Sequence, residues 1–183
     1  AAILATGRPA GGVKEVTAAQ AIRRSLAVNF ALESSAALQA LHETDPVAWS
    51  DLAREKLRGQ PTPLLRETAL TLLGRDGSGN AATLTPVERS VQLTTSEFFQ
   101  GWGVRQLEMI NPHVRVVFTG PGETPLYAAA APADGLYLIV HGSIGLSGTA
   151  TTAALTLGAG AIVGEEALLG QSTRMESARA HDL

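Results

Sequence analysis

The spacing of hydrophobic positions changes about two thirds of the way along the chain. From residue 13 to residue 73, apolar side chains recur three and four positions apart, as in KEVTAAQAIRRSLAVNFALESSAALQALH at 14–42. This spacing is typical of amphipathic helices. After Pro112, short apolar runs are bounded by Gly, Pro, Asp and Ser, which favours β-strands. The sequence therefore predicts a helical N-terminal part and a β-rich C-terminal part.

Two helix starts are marked within the N-terminal part. Asp45 followed by Pro46 predicts an N-cap and a proline in the first turn, in a helix that ends at Gly59. Thr62 followed by Pro63 gives the same signal for the next helix.

Each of these two helices has a predicted apolar face. In the first helix we expect Val47, Leu52 and Leu57 to lie on one broad face. The second helix is expected to stop before Gly74. Its predicted buried residues are Leu65, Ala69, Leu72 and Leu73.

Two short helices with a tight joint are the unit of an α-solenoid. The segment resembles a HEAT-type repeat, in which a proline opens the second helix and an Arg follows the first apolar pair. The match covers about 30 residues, close to one repeat length. The resemblance implies one or two helical hairpins in this part of the chain.

The stretch RDGSGNAAT at 75–83 concentrates turn-forming residue types and predicts a loop. We place the domain boundary there, between a helical HEAT-like region at 1–74 and a second domain at 84–183. The second domain begins with LTPVERSVQLTTSEFFQGWGVRQLEMI, whose helical spacing is interrupted at Gly101 and Gly103.

Five short strand-like runs follow this helical lead-in. Since a βαβ crossover needs about a dozen residues, five runs within about 45 residues favour a small antiparallel barrel or sandwich. The runs are VRVVF at 114–118, PLYAA at 125–129, LYLIV at 136–140, SIGLS at 143–147 and AALTL at 153–157.

Composition and charge narrow the possible functions. The net charge of −3 comes without a basic stripe, so a nucleic-acid partner is not expected. There is no cysteine and no apolar run long enough for a transmembrane helix. No catalytic triad or phosphate-binding loop is recognisable, so enzymatic activity is not expected. The histidines lack metal-ligand spacing: His42, His113, His141 and His181.

The C-terminal part carries four short motifs in a fixed order: a Gly-Glu turn, a Leu-Tyr strand that ends in Gly, a Gly-rich turn, and Gly-Glu-x-Ala-Leu followed by an Arg. With the helical lead-in, this order resembles the cyclic nucleotide-binding domain family over about 100 residues. The residues that match are Gly122, Glu123, Leu136, Tyr137, Gly142, Gly158, Gly160, Gly164, Glu165, Ala167, Leu168 and Arg174.

The resemblance implies an antiparallel, jelly-roll-like β-roll that binds cyclic AMP or cyclic GMP. Arg174 would clamp the cyclic phosphate, and Glu165 would accept a hydrogen bond from the ribose 2′-hydroxyl. The segment EEALL would form one helical turn whose free N–H groups point at the anion. The candidate ligand-binding residues are Gly164, Glu165, Ala167, Leu168, Arg174 and Met175.

The sequence also departs from the family pattern near the candidate clamp. Glu166 stands where the family has an apolar residue, and Glu176 stands where it has a small one. An acid this close to a bound phosphate costs about 1 kcal/mol or more if it is partly desolvated. We therefore expect Glu166 or Glu176 to pair with Arg174 if the pocket is degenerate.

Two functions follow from this resemblance. The first is a non-enzymatic regulatory or interaction module, degenerate in ligand binding, whose partners are other protein subunits or another part of a parent chain. The alternative is a cyclic AMP or cyclic GMP sensor that controls an attached or associated protein of the transporter type, since similar bacterial chains join HEAT-like repeats, such a roll and a transporter-type domain. The predicted location is cytoplasmic, with the cytoplasmic face of a membrane assembly as the alternative for either function.

The family usually continues with another strand and one or two helices that close over the ligand. The sequence ends at Leu183, where these elements are expected to begin. We expect ligand affinity to be lower without them.

Overall fold

The computed structural model describes residues 30–78, 83–120, 125–148 and 155–182, with only the backbone for 76–78 and 182. Helices occupy the N-terminal part and antiparallel strands the C-terminal part, as predicted. The chain divides into two compact units, Ala1–Asp76 and Gly77–Leu183. The domain limits 1–74 and 84–183, as independently folding parts, stay a prediction.

The first unit contains three helices among its described residues: α1 (Ala31–Thr44), α2 (Pro46–Arg58) and α3 (Pro63–Ser78). The two predicted helix starts are confirmed. The Asp45 carboxylate accepts a hydrogen bond of 3.0 Å from the backbone N–H of Ala48. The Thr62 hydroxyl accepts one of 3.4 Å from Leu65 N–H. Residues 13–29 of the predicted helical stretch lie outside the described residues.

These three helices share one hydrophobic core, and the predicted face of α3 contributes to it. The buried residues of the core are Ala37, Leu38, Leu41, Trp49, Ala53, Leu65, Ala69 and Leu72. The prediction for α2 was wrong at Val47, which is 82% exposed. Trp49 is buried instead. Residues that are two positions apart are rotated by about 200° around a helix, so Val47 and Trp49 cannot both face the core. The HEAT-like assignment stays a prediction.

The end of α3 also differs from the prediction, because residues 75–78 were expected in a loop and are helical. A glycine ends a helix most effectively when it adopts a left-handed backbone conformation. Gly74 does not have a positive φ. The helix therefore continues past it to Ser78.

The second unit begins with two more helices, α4 (Pro86–Thr94) and α5 (Val104–Ile110), each adjoined by a 3₁₀ turn, at Glu97–Phe99 and Asn111–His113. Helix α4 starts with a capping box. Thr85 Oγ1 accepts from the N–H of Glu88 at 3.2 Å, and the Glu88 carboxylate accepts from the N–H of Thr85 at 2.7 Å.

A buried polar network holds α4 against the 3₁₀ turn that follows α5. Arg89 donates from Nε and Nη2 to Asn111 Oδ1 at 3.2 and 2.7 Å. Asn111 Nδ2 in turn donates to Pro86 O at 2.7 Å and to Ser90 Oγ at 2.8 Å. Asn111 is fully buried and Arg89 is 6% exposed. The helical lead-in is therefore fixed by hydrogen bonds as well as by apolar contact.

The described strands form two antiparallel sheets. Their bounds are β1 (Tyr137–Leu138), β2 (Ser143–Gly148), β3 (Leu155–Gly158), β4 (Ile162–Val163) and β5 (Glu176–Asp182). Strand β1 pairs with β4, and the second sheet has the order β3-β2-β5. The two sheets meet in a small core around Ile139, Ile144, Val163 and Ala178.

Three strand predictions need correction. VRVVF at 114–118 forms no strand in the described part of the chain, and PLYAA contributes only one bridge, Tyr127 to Ala178. LYLIV is a strand only at Tyr137–Leu138. Strand pairing depends on a partner at hydrogen-bonding distance, which the local sequence pattern does not encode.

The buried polar network predicts the effect of changing Asn111. Asn111→Ala removes the acceptor of two Arg89 donors and the donor to Pro86 O, and leaves these groups buried. We expect a loss of about 2–4 kcal/mol in the free energy of unfolding, measured by urea denaturation. Gln100→Ala, at an exposed position in the same unit, is the control. A loss equal to that of the control would contradict the role given to Asn111.

Candidate ligand site

The candidate site begins at a sharp turn after β4. Gly164 has a φ of 84°, and the 3₁₀ turn Glu165–Ala167 follows directly. The predicted single helical turn is therefore present. The N–H groups of Ala167 and Leu168 bond back to Gly164 O and Glu165 O. Among the described residues, the N–H groups of Glu165 and Glu166 have no acceptor, as expected for the start of a helical turn.

The backbone of Arg174 is held by the four alanines at 128–131. Arg174 N–H donates to Ala131 O, and Arg174 O accepts from Ala130 N–H, both at 2.8 Å. Ala130 has a φ of 64°, an uncommon conformation for a residue with a side chain. The alanine segment forms a turn opposite Arg174, closed by a bond from Ala131 N–H to Ala128 O.

The guanidinium of Arg174 points into the protein, where the residue is only 2% exposed. Two backbone carbonyls accept its shortest hydrogen bonds: Nη2 to Gly135 O at 2.6 Å and Nη1 to Gly164 O at 3.1 Å. Two carboxylates also contact it, Asp134 at 3.3 Å from Nη2 and Glu166 at 3.4 Å from Nη1. The group thus has charged and neutral acceptors on both terminal nitrogens.

Two stacked tyrosines lie beside the same guanidinium. Its central carbon is 4.4 Å from the ring centre of Tyr127 and 5.7 Å from that of Tyr137. The two rings are 5.7 Å apart with an interplanar angle of 29°. Such contacts favour a desolvated cation by cation–π attraction. Arg174 Nε is buried and has no hydrogen-bond partner among the described residues.

Burial and the charges of the site shift the pKa of Tyr127. Burial raises the pKa of its phenol to about 12, and the negative charge of Glu166 adds to this effect. Arg174 opposes the rise in pKa, while Glu165 and Glu176 add to it. Three carboxylates, those of Glu166, Glu165 and Glu176, therefore act on the phenol that lies beside Arg174.

The six candidate residues are brought together only in part. Gly164 contacts Arg174 directly, since a Cβ at position 164 would lie 2.5 Å from Nη1. Leu168 and Met175 are 57% and 65% exposed, and Glu165 is exposed as well. No hydrogen bond or ion pair joins these three to the guanidinium in the described part of the chain. Ala167 is half-buried, and binding of a ligand by any of the six stays a prediction.

Sequence reasoning missed three residues of the site. Asp134, Gly135 and Tyr127 lie 39 to 47 positions before Arg174, so no local pattern connects them to it. Asp134 and Gly135 precede the Leu-Tyr strand, and this position next to a matched motif was the available signal. The matched pair Gly122 and Glu123 lies outside the described residues.

An open cavity of about 500 Å³ is lined by residues 95–98 and 159–162 and does not include Arg174. No group of three or more metal-ligating side chains occurs among the described residues. Of the helices described, none is long and apolar enough to span a bilayer.

Comparisons with known proteins agree with the motif order. Residues 119–182 match a family described as "Cyclic nucleotide-binding domain". A search of curated proteins gives no match.

Solved structures with similarity include a cyclic nucleotide-binding-like protein from Brucella abortus, at 30% identity and a TM-score of 0.40, with 51% of this chain and 82% of that chain covered. A Geobacter metallireducens protein named for cyclic nucleotide binding is 22% identical, with a TM-score of 0.44 and coverage of 55% and 70%. The N-terminal domain of a Streptomyces coelicolor transcriptional regulator is 20% identical, with a TM-score of 0.42 and coverage of 50% and 67%.

The raised pKa of Tyr127 predicts a late step in an alkaline titration. Because the folded-state pKa of about 12 exceeds the ordinary 10.0, the native state keeps a proton that the unfolded state loses. The stabilisation is complete below pH 10 and is lost as the pH rises through about 12. We expect phenolate absorbance to show a step near pH 12 that disappears in Tyr127→Phe. The step should persist in Tyr137→Phe, and its absence from the wild type would contradict the burial of Tyr127.

Proposed function

Because residues 119–182 belong to the cyclic nucleotide-binding domain family, we propose that the chain is a non-enzymatic regulatory or interaction module whose anion clamp is occupied by the protein itself. In this proposal the β-roll keeps the family's scaffold but binds neither cyclic AMP nor cyclic GMP appreciably. Its partners are other protein subunits or another part of a parent chain.

The observation that carries this proposal is the state of Arg174. Both terminal nitrogens of its guanidinium already have a backbone carbonyl and a carboxylate as acceptors. A cyclic phosphate would have to replace these charged contacts and would gain little, because the group is already removed from water. Exchange of one anionic partner for another is close to neutral in free energy unless the new partner adds contacts elsewhere.

The acidic side chains near Arg174 also disfavour a bound phosphate. Glu165, Glu166 and Glu176 all influence the Tyr127 phenol next to the clamp, whereas Arg174 is the one cation among the described residues that does so. An approaching phosphate therefore meets a field that is negative on balance. Like-charge contacts of this kind reduce affinity.

A second candidate function, a cyclic nucleotide sensor, is favoured by one observation. The turn at Glu165–Ala167 presents two backbone N–H groups, those of Glu165 and Glu166, with no acceptor in the described part of the chain. Free N–H groups at the start of a helical turn suit an anion. If the carboxylates moved away, the same turn and Arg174 could bind a cyclic phosphate and signal to an attached or associated protein.

Thermal unfolding with each cyclic nucleotide separates the two functions. A ligand with a dissociation constant of about 10 μM would stabilise the fold by roughly 2.7 kcal/mol at 1 mM. This would raise the melting temperature by about 5 °C or more for a chain of this size. We expect no rise with cyclic AMP or cyclic GMP beyond that seen with linear 5′-AMP, the control ligand. A specific rise that is lost in Arg174→Lys would favour the sensor and contradict the proposed function.

A further inference from the structure

Two carboxylates lie where an external anion would contact Arg174. Asp134 Oδ1 is 3.3 Å from Nη2, and Glu166 Oε1 is 3.4 Å from Nη1. Asp134 belongs to the segment before β1, and Glu166 belongs to the 3₁₀ turn after β4. Together they supply a negative charge to each terminal nitrogen of one cation.

The carbonyl contacts and the carboxylate contacts have different roles. Gly135 O and Gly164 O are fixed by the backbone and hold the guanidinium at 2.6 and 3.1 Å. Carbonyls orient the group but do not neutralise its charge. The side chains of Asp134 and Glu166 are 79% and 17% exposed, so both can reach solvent without unfolding the roll. The carboxylates are therefore the replaceable partners.

We propose that Asp134 and Glu166 are built-in competitors that determine whether Arg174 binds an external phosphate. Neutralising both side chains should convert the roll into a domain that binds inorganic phosphate and cyclic nucleotides. This inference rests on the proposed function, because it explains how the clamp is kept closed.

The physical reason lies in the burial of the cation. With both carboxylates neutral, a guanidinium whose side chain is 0% exposed would keep only uncharged acceptors. An uncompensated buried charge is strongly destabilising. Arg174 Nε also lacks a partner in the part of the chain that the structure describes, and it could donate to a bound anion. A phosphate would therefore restore the lost countercharge, and stability should become dependent on it.

Glu176 provides a matched control for the change in charge. Like Glu166, it influences Tyr127 electrostatically. Its side chain lies over Gly148 on β2, where an added Cβ would be 2.9 Å from Glu176 Cγ. It forms no hydrogen bond or ion pair with Arg174 in the described part of the chain. Glu176→Gln thus removes one negative charge near the site without releasing the clamp.

The test compares wild type, Glu176→Gln, the double variant Asp134→Asn/Glu166→Gln, and that double variant with Arg174→Lys. Each is titrated calorimetrically and melted with inorganic phosphate, cyclic AMP and cyclic GMP. We expect the double variant to melt below the wild type without ligand and to recover with phosphate or a cyclic nucleotide. Its affinity for at least one of these should exceed that of Glu176→Gln by about tenfold or more.

Two results would overturn the inference. One is a double variant that binds no more tightly than Glu176→Gln. The other is equal binding by the version with Arg174→Lys, which would mean a general effect of charge and not release of a bidentate clamp. If the double variant does not fold even with phosphate, the single variant Asp134→Asn is tested in its place. Asp134 is exposed, so this change should leave the fold intact. It should then show a smaller gain in affinity, and no gain would reject the proposal.

Failure of this inference can be distinguished from failure of the proposed function. Binding of a cyclic nucleotide by the wild type would contradict an occupied clamp. The two carboxylates would still count as competitors if the double variant bound more tightly than the wild type. If neither the wild type nor the double variant binds phosphate or a cyclic nucleotide, the proposed function stands and the competitor role is rejected.

Discussion

A guanidinium that is removed from water keeps its charge, because its pKa is far above the range in which proteins are folded. The protein must therefore surround Arg174 with acceptors and countercharge, and much of the local architecture does this. The left-handed turn at Gly164 presents a carbonyl to Nη1. The alanine turn at 128–131 fixes the Arg174 backbone, and Tyr127 covers the guanidinium. The geometry of the candidate site follows from the burial of this one group.

The fold was most predictable where a residue acts on its immediate neighbours. Asp45 and Thr62 cap helices through contacts three residues away, so the sequence alone was sufficient to place them. Strands were harder, because pairing depends on distant segments. VRVVF at 114–118 has strong strand propensity but no strand pairing among the described residues. The reverse error occurred at β5, Glu176–Asp182, which lacks β-branched and aromatic residues and turns small alanines inward.

The site was predictable in its motif order but only in part in its contacts. The spacing from Gly164 to Arg174 identified the two residues that the structure brings together. The pairing of Arg174 with Glu166 was among the predicted alternatives, and the structure contains it. Asp134 could not be assigned as a partner, because the segment that carries it reaches Arg174 only through the folding of the roll. Asn111 was missed for the same reason, since its partners on α4 lie more than 20 residues earlier.

The geometry couples the side chains that positions 164 and 174 can accept. Any side chain at position 164 meets three obstacles: the guanidinium 2.5 Å from the new Cβ, Gly135 O at 3.2 Å, and a backbone with φ near 84°. A shorter side chain at position 174 removes only the first obstacle, because the Gly135 carbonyl and the left-handed conformation belong to the backbone. In a combinatorial library of the two positions, non-glycine residues at 164 should therefore be enriched only alongside small residues at 174, and Asn should lead them because it tolerates this conformation best. Loss of the arginine first therefore lowers the cost of losing the glycine without removing it, whereas loss of the glycine first meets the full cost.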